Sequence, residues 1–165
     1  MIQGSALSTR FCASALVIAF LGAGCVSRPA ADRRTDQGEA EAQIKLRLAE
    51  IIDAAEQKDF DRLDSYHLYG PKFSKFAGSS AERQDAETSR QGEHTGLGAI
   101  NCLKMRADTL KIDVFGNMGI ATFILDYSFA SESGVIHARD RTTMVFVRDT
   151  GAWKIAHEHL SPITP

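Results

Sequence analysis

The stretch "RTTMVFVRDTGAWKIAHEHLSP", Arg141 to Pro162, decides the fold. Apolar and polar residues alternate on both sides of Asp149-Thr150-Gly151, a pattern typical of two antiparallel strands joined by a hairpin loop. Alternate positions of the second strand share one face, and the residues of its mostly apolar face are Trp153, Ile155, His157 and His159. We expect this face to line the inside of the fold and Glu158 to lie on the opposite face.

Outward from this hairpin, the chain divides into helices followed by strands. Apolar residues at helical spacing predict a helix from Glu41 to Lys58, and Asp59 is a typical N-cap for a second, short helix. The polar segment from Ser80 to about Leu97 predicts a surface helix that covers the residues beneath it. From Leu110 to Leu160, alternating runs predict strands separated by turns. Helices first and antiparallel strands afterwards indicate an α+β fold, in which a strongly curved sheet packs on the helices and encloses a cone.

The same hairpin carries a family resemblance. Together with "VFGNMGIATFILDYSF" and a helix pair ending in "DFDRLDSYH", it resembles the SnoaL-like, ketosteroid-isomerase-like branch of the nuclear transport factor 2-like superfamily. The shared signature is a charged turn with Gly, then Trp-Lys-Ile, then His-x-His-x-Ser, here Trp153 to Ser161. The resemblance covers residues 42–165 and implies the cone-shaped fold. It implies no single activity, because this superfold hosts isomerases, cyclases, dehydratases and oligomerisation modules.

The N-terminal segment has the pattern of an export signal. Residues 1–24 contain one basic residue, Arg10, and an apolar run of about a dozen residues, which suits a signal peptide and is too short for a membrane span of about 20 residues. The run "LGAGC" resembles the lipobox of bacterial lipoproteins, and this resemblance implies that Cys25 is lipidated and becomes the mature N-terminus. Ordinary secretory cleavage is the alternative, because Gly22 replaces the branched residue usual three positions before the Cys.

The segment after Cys25 is polar and charged. Residues 25–41 therefore predict a flexible tether, followed by one cone domain over residues 42–165. We expect an exported protein of the cell envelope, either anchored to the membrane as a lipoprotein facing the periplasm or the exterior, or soluble in the periplasm after conventional cleavage.

The cone supplies the candidate site. We expect an apolar pocket that binds a small hydrophobic or amphipathic molecule. The candidate ligand-binding residues are Tyr66, Tyr69, Tyr127, Trp153, His157 and His159. A protein-partner module is equally compatible with the pattern. The outward sheet face, with Thr122, Ile124 and Lys154, offers a surface for a homodimer.

Catalysis depends on where the carboxylates lie. Proton abstraction next to a carbonyl group needs a carboxylate base inside an apolar pocket and a donor for the enolate oxygen. Asp126 should point outward, and the pattern leaves the directions of Asp140, Arg139 and Arg141 open, so the sequence assigns no catalytic residue. An inward carboxylate within hydrogen-bond reach of a Tyr or His would favour a cofactor-independent isomerase, cyclase or dehydratase acting on a small carbonyl compound. A carboxylate-free cone would favour binding alone.

Other ligand classes have weaker support. His157 and His159, two residues apart on a strand, can converge on a metal ion. A site needs a third ligand, for which His137 and Glu158 are the nearest candidates in sequence, and Glu158 is expected on the opposite face. We expect neither a metal nor another cofactor. The chain has 165 residues, a formal net charge of −2 and no basic stripe. This composition argues against a nucleic-acid partner.

Overall fold

The helices come first in the chain and the long strands last. The computed structural model describes residues 30–78 and 80–164, with side chains from Asp36 onward. In chain order the elements are α1 (Ala30–Gln57), α2 (Phe60–Ser65), β1 (Ser74–Phe76), α3 (Ala86–Ala99), β2 (Asn101–Phe115), β3 (Met118–Ser131), β4 (Gly134–Asp149) and β5 (Ala152–Pro162). The predicted α+β class is confirmed.

The strands form one curved sheet in the order β1-β5-β4-β3-β2. The four long strands are antiparallel and joined by hairpins, whereas the short β1 lies parallel to β5 at the edge. One face of the sheet packs against the helices and forms the hydrophobic core. Its buried residues include Ile44, Leu48, Phe123, Phe146, Trp153 and Ile155. The sheet and the helices together form the cone.

Helix α1 starts earlier than the sequence pattern predicted. It begins at Ala30 rather than Glu41, so much of the predicted tether is helical. The physical reason is composition, because Ala, Glu, Gln and Arg all have high helix propensity. Of the side chains described between Asp36 and Glu41, only that of Ala40 is buried. The first turns of α1 therefore extend past the core. The predicted signal peptide and Cys25 lie outside the described residues.

The two shorter helices are fixed by Asp caps. The Asp59 side chain accepts a hydrogen bond from the Arg62 backbone N–H at 3.2 Å, which confirms the predicted start of α2. Asp85 caps α3 through the Thr88 N–H at 2.9 Å, so this helix begins later than the predicted Ser80. The residue before the cap, Gln84, is paired with Lys75 of β1 by two backbone hydrogen bonds. This pairing holds the chain extended up to the start of α3.

A β-bulge in β5 contradicts the predicted alternation of the last strand. Val145 of β4 pairs with His157, but the next residue, Phe146, pairs with Ile155, so Ala156 is an extra residue in β5. An extra residue reverses the faces of the residues that follow it. Trp153 and Ile155 point into the core as expected, whereas beyond the bulge Glu158 and Leu160 point inward. His157 and His159 point to the outer face.

The described helices show no membrane-spanning segment. None of them combines the length and the apolar character that crossing a bilayer requires.

Candidate functional site

A cavity of about 460 Å³ lies between α3, α1 and the inner face of β2 to β5. This volume falls in the range of about 300–1,000 Å³ typical of small-molecule sites. Most of its wall is apolar, and the apolar lining residues include Ile51, Leu63, Leu97, Met105, Leu125, Met144 and Leu160. Lys75, Glu93 and Glu158 lie together at one end. The cavity is therefore apolar along its length and charged at one end.

A second, larger cleft of about 760 Å³ lies beside the beginning of α1 and the β2–β3 turn. Its described ionisable lining residues, Asp36, Glu39 and Arg148, are all exposed. Exposed charges in a wet cleft are weak candidates for chemistry, because water screens them. We therefore place the candidate site in the smaller cavity.

Four ionisable side chains, here called the buried quartet, form the charged end: His67, Lys75, Glu93 and Glu158. Two of them meet through strand register, because Lys75 of β1 lies directly beside Glu158 of β5. His67 follows α2 and is placed beside β5 by backbone hydrogen bonds between Ile155 and its neighbours Tyr66 and Leu68. Glu93 comes from α3. The quartet thus joins the edge of the sheet to the helix above it.

The quartet's contacts are short and shielded from water. Lys75 Nζ lies 2.7 Å from Glu158 Oε2 and donates a hydrogen bond to Glu93 Oε1. The contact with Glu158 is an ion pair and not a well-aligned hydrogen bond. The Tyr69 hydroxyl donates to Glu93 Oε2 at 3.2 Å. The side chains of Glu158 and Lys75 are only 4% and 10% exposed, so the charges attract each other with little screening.

His67 completes the charge balance. Its Nδ1 lies 3.0 Å from the Leu63 carbonyl oxygen, which can only accept, so Nδ1 carries a proton. Its Nε2 lies 3.6 Å from Glu158 Oε1 and 3.8 Å from Glu93 Oε1. A neutral ring would aim a lone pair at two carboxylates. The imidazolium form is therefore favoured, and it stacks on Tyr69 with ring centroids 4.7 Å apart.

The pKa shifts follow from these contacts. Burial lowers the pKa of His67, but the nearby carboxylates of Glu158 and Glu93 outweigh it, so the pKa is raised. Burial raises the pKa of Glu158, but Lys75 and His67 outweigh it and hold that pKa well below its usual range. Burial lowers the pKa of Lys75, and the two carboxylates raise it above its usual value. Lys75 therefore stays an ammonium ion and is no nucleophile.

Three members of the quartet have the composition of a metal site. Ligand atoms of His67, Glu93 and Glu158 all lie within 4.8 Å of one another. However, the Lys75 ammonium group contacts both carboxylates, so it already supplies the positive charge that a metal ion would bring. A divalent ion bound to the same oxygens would be repelled by that ammonium group. The donor set therefore does not fit a metal ion while Lys75 is charged.

A second pair of polar side chains, Tyr127 and Asp140, lies on β3 and β4, away from the quartet along the strands. Asp140 is inward-facing and only 8% exposed, and it lies opposite Leu125 on β3. Burial raises the pKa of Asp140, and the nearby Tyr127 hydroxyl opposes part of that rise. Tyr127 itself lines the cavity. The cone therefore contains inward carboxylates at two positions.

Comparisons with known proteins give the family. The profile of the SnoaL-like domain matches residues 44–165. This chain belongs to the SnoaL-like family. A comparison with curated protein sequences gives no match.

Solved structures with the same fold extend this result. A Streptomyces avermitilis protein of the NTF2-like family, provisionally named a dehydratase, is 16% identical with a TM-score of 0.71, over 78% of this chain and 99% of that one. An NTF2-like superfamily protein from Salmonella enterica is 17% identical with a TM-score of 0.68, over 78% and 94%. The CaMKII hub of S. rosetta is 19% identical with a TM-score of 0.63, over 74% and 96%. At these identities the likeness shows the fold alone.

The six candidate ligand residues occupy different parts of this SnoaL-like domain. Tyr127 lines the cavity, and Tyr69 bonds to Glu93. Tyr66 packs in the core, where its hydroxyl accepts from Arg62 at 2.9 Å. Trp153 is buried in the core and donates from its ring nitrogen to Gln43 at 3.1 Å.

The two histidines of the SnoaL-like signature do not face the cavity. His157 contacts Ser74 Oγ through Nδ1 at 2.9 Å on the outer face, and His159 is exposed beside the Phe76 ring. The expectation that they close the inside of the cone is wrong, because the bulge at Ala156 turns them outward. Asp126 points outward as expected and lies 3.7 Å from both Arg106 and Arg139.

The quartet of this SnoaL-like domain was missed by the sequence pattern. Glu158 was assigned to the wrong face, and His67, Lys75 and Glu93 come from three separate segments. One local signal was present, because Lys75 lies among aromatic residues in "KFSKF". A charged residue in an apolar edge strand suggests a buried ion pair.

Proposed function

We propose that this protein binds a small, largely apolar carbonyl compound in the 460 Å³ cavity and moves a proton on it without a cofactor. The observation that carries the proposal is the buried quartet at the end of an apolar cavity. It contains inward carboxylates within reach of a Tyr and a His, the arrangement that favours an enzyme over simple binding. Isomerisation and dehydration of carbonyl compounds share one step, the removal of a proton from the carbon next to the carbonyl group.

Each member of the quartet has a role in that step. The Lys75 ammonium has three N–H donors and two of them face Glu93 and Glu158, which leaves one for the carbonyl oxygen of the ligand. Glu93 lines the cavity and takes the proton from the neighbouring carbon. Negative charge then develops on the carbonyl oxygen, where Lys75 stabilises it. Glu158 and His67 hold Lys75 in place and keep the whole cluster neutral.

The atom that next receives the proton from Glu93 determines the product. Returned to a different carbon, it gives an isomer. Delivered to a hydroxyl group on the next carbon, it releases water and leaves a double bond. The dehydratase name of the Streptomyces avermitilis relative belongs to the second class.

A purely structural role explains the quartet less well. Replacing a buried ion pair by apolar residues of similar size is often neutral or stabilising. Stability alone therefore gives no reason for four ionisable groups at the end of an apolar cavity. A ligand that carries a polar group gives such a reason, because that group would bind at the quartet.

Deuterium exchange tests the proposal without knowledge of the natural substrate. A panel of cyclic and straight-chain ketones is incubated in D2O, and deuterium at the carbon next to the carbonyl is measured by NMR. We expect exchange above the buffer rate, with Glu93→Gln reducing it by about 10²–10⁴-fold. Glu87→Gln, on the exposed side of the same helix, is the matched control and should exchange like the wild type. Exchange at the buffer rate for every ketone would refute the proposed catalysis and leave ligand binding alone as the function of the cavity.

We also propose export and membrane anchoring through a lipid on Cys25. Only the sequence supports this part, through the apolar run before "LGAGC". Membrane fractionation of a Cys25→Ala variant tests it. Loss of membrane retention is expected, and unchanged retention would exclude acylation at Cys25 as the anchor.

A homodimer is a further proposal. All three described helices lie on one face of the sheet, and the other face carries a strip of half-buried aliphatic residues. Members of this strip are Ile120, Ile124, Val145 and Val147. An uncovered apolar strip favours pairing with a second copy.

A further inference from the structure

The two carboxylate oxygens of Glu93 have different partners. Oε1 accepts a hydrogen bond from Lys75 Nζ and a longer one, at 3.5 Å, from the Ser89 hydroxyl. Oε2 accepts a hydrogen bond from the Tyr69 hydroxyl at 3.2 Å, and no other residue in the described part of the chain donates to it. A carboxylate oxygen offers two lone-pair directions. Both are therefore taken on Oε1, whereas Oε2 keeps one that is free to receive a proton.

The Tyr69 hydroxyl is a fixed donor. The Tyr69 ring stacks on the His67 ring with centroids 4.7 Å apart and packs edge-on against the Phe73 ring at 4.9 Å. Phe73 is buried in the core, so the ring of Tyr69 is held from two sides. Burial and the charge of Glu93 raise the pKa of Tyr69 above its usual value, so the hydroxyl keeps its proton. It therefore donates to Glu93 from a constant position.

This second contact fixes the plane of the Glu93 carboxylate. The last torsion of a Glu side chain has broad, roughly two-fold preferences, so it does not select one orientation by itself. The contact with Lys75 holds Oε1 in place but leaves the carboxylate able to rotate about it. The hydrogen bond from Tyr69 holds Oε2 as well. With both oxygens held, the free lone pair of Oε2 keeps one direction.

We infer that Tyr69 is a positioning residue that fixes the plane of the Glu93 carboxylate and makes Oε2 the atom that accepts the proton. In that step the C–H bond of the ligand breaks, its electron pair moves into the enolate, and the proton forms an O–H bond with Oε2. The O–H bond of Tyr69 stays intact. Tyr69 acts through Glu93, because of these two residues only Glu93 lines the cavity. This inference rests on the proposed function, in which Glu93 is the base.

The kinetics of deuterium exchange in Tyr69→Phe test this role, because the variant keeps the packed ring and removes only the hydroxyl. With the ketone that the wild type exchanges fastest, we expect kcat to fall by about 10–100-fold, the range for losing one hydrogen bond to a charged group. KM, and the affinity for the same ketone measured by calorimetry, should stay unchanged, because the hydroxyl does not contact the ligand. Tyr66→Phe is the matched control. It loses a hydroxyl that also bonds to a charged side chain, that of Arg62 in the core, and should keep both kcat and KM.

The outcomes separate the role of Tyr69 from the proposed function. Exchange by the wild type with an unchanged kcat in Tyr69→Phe would overturn the positioning role and leave Glu93 as the base. A raised KM or a weakened affinity would also overturn it, because removal of the hydroxyl would then have altered ligand binding itself. An equal fall of kcat in Tyr66→Phe would do the same, since the effect would not depend on the contact with Glu93. No exchange in the wild type would refute the proposed function and this inference with it.

Discussion

At the scale of single residues, the protonation of His67 decides how the quartet is charged. With the imidazolium present, two cations face two carboxylates and the cluster is neutral. With a neutral ring, one negative charge is left in a nearly dry site, which is costly. The structure gives the reason for the proton, because Nδ1 is committed to the Leu63 carbonyl and Nε2 faces Glu93 and Glu158.

This protonation predicts a pH dependence of stability. The folded-state pKa of His67 is raised, so its contribution is fully present below the unfolded value of about 6.5 and is lost as pH rises through the folded-state pKa. The free energy of unfolding, from urea titrations over a pH series, should therefore fall with pH above about 6.5. In His67→Gln that loss should be absent, whereas His137→Gln, in an exposed hairpin, should retain it. An identical pH profile in wild type and His67→Gln would contradict the imidazolium.

The residues of the quartet also show where prediction from sequence ends. The alternation of β3 placed Tyr127 on the inner face and Asp126 on the outer face, because period-two patterning is local. The meeting of His67, Lys75 and Glu93 with Glu158 is a tertiary event between four separate segments. No spacing within one segment encodes it.

At the scale of elements, the bulge at Ala156 determines which side chains of β5 reach the cavity. Without it, Glu158 would face outward and His157 inward. The helices and long strands were predictable from periodicity and caps, such as Asp59 before α2. The bulge was not predictable, because Ala156 and its two neighbours include neither the glycine nor the proline that often marks such a site.

Deletions in β5 test the importance of the bulge. Removing Ala156 joins Ile155 directly to His157, so regular alternation keeps Glu158 inward and paired with Met144, and this variant serves as the control. Removing both Ala156 and His157 places Glu158 next to Ile155 and therefore on the outer face. For this double deletion we expect a loss of about 3–5 kcal/mol in the free energy of unfolding, the usual effect of breaking a buried ion pair, together with loss of ketone binding. Native stability and binding in the double deletion would show that the number of residues at the bulge does not set the orientation of Glu158.

At the scale of the whole molecule, the sheet separates two kinds of surface. Its inner face, with the helices, holds the core and the cavity. Its outer face carries the half-buried aliphatic strip together with Arg139, Arg141, His157 and His159. The fold class followed from the order of helices and strands, whereas the cavity's charged end required the assembled structure.

The proposed homodimer predicts a response to a charge on the outer face. Ile124→Lys places an ammonium group in the aliphatic strip and should convert a dimer into a monomer, as measured by size-exclusion chromatography with light scattering. Leu46→Lys adds the same charge at an exposed position of α1, 62% accessible, and should leave the dimer intact. A wild-type protein that is monomeric at all concentrations would refute the homodimer.

The central claim is that the bound ketone meets the ammonium group of Lys75, and ¹⁵N NMR of lysine-labelled protein measures this contact. Lys75→Arg identifies the resonance, and the exposed Lys104 serves as the internal reference. We predict that Lys75 remains protonated above the ordinary lysine pKa of about 10.4 and that its signal shifts on saturation with ketone while that of Lys104 does not. A ketone that binds and leaves the Lys75 signal unchanged would contradict the claim.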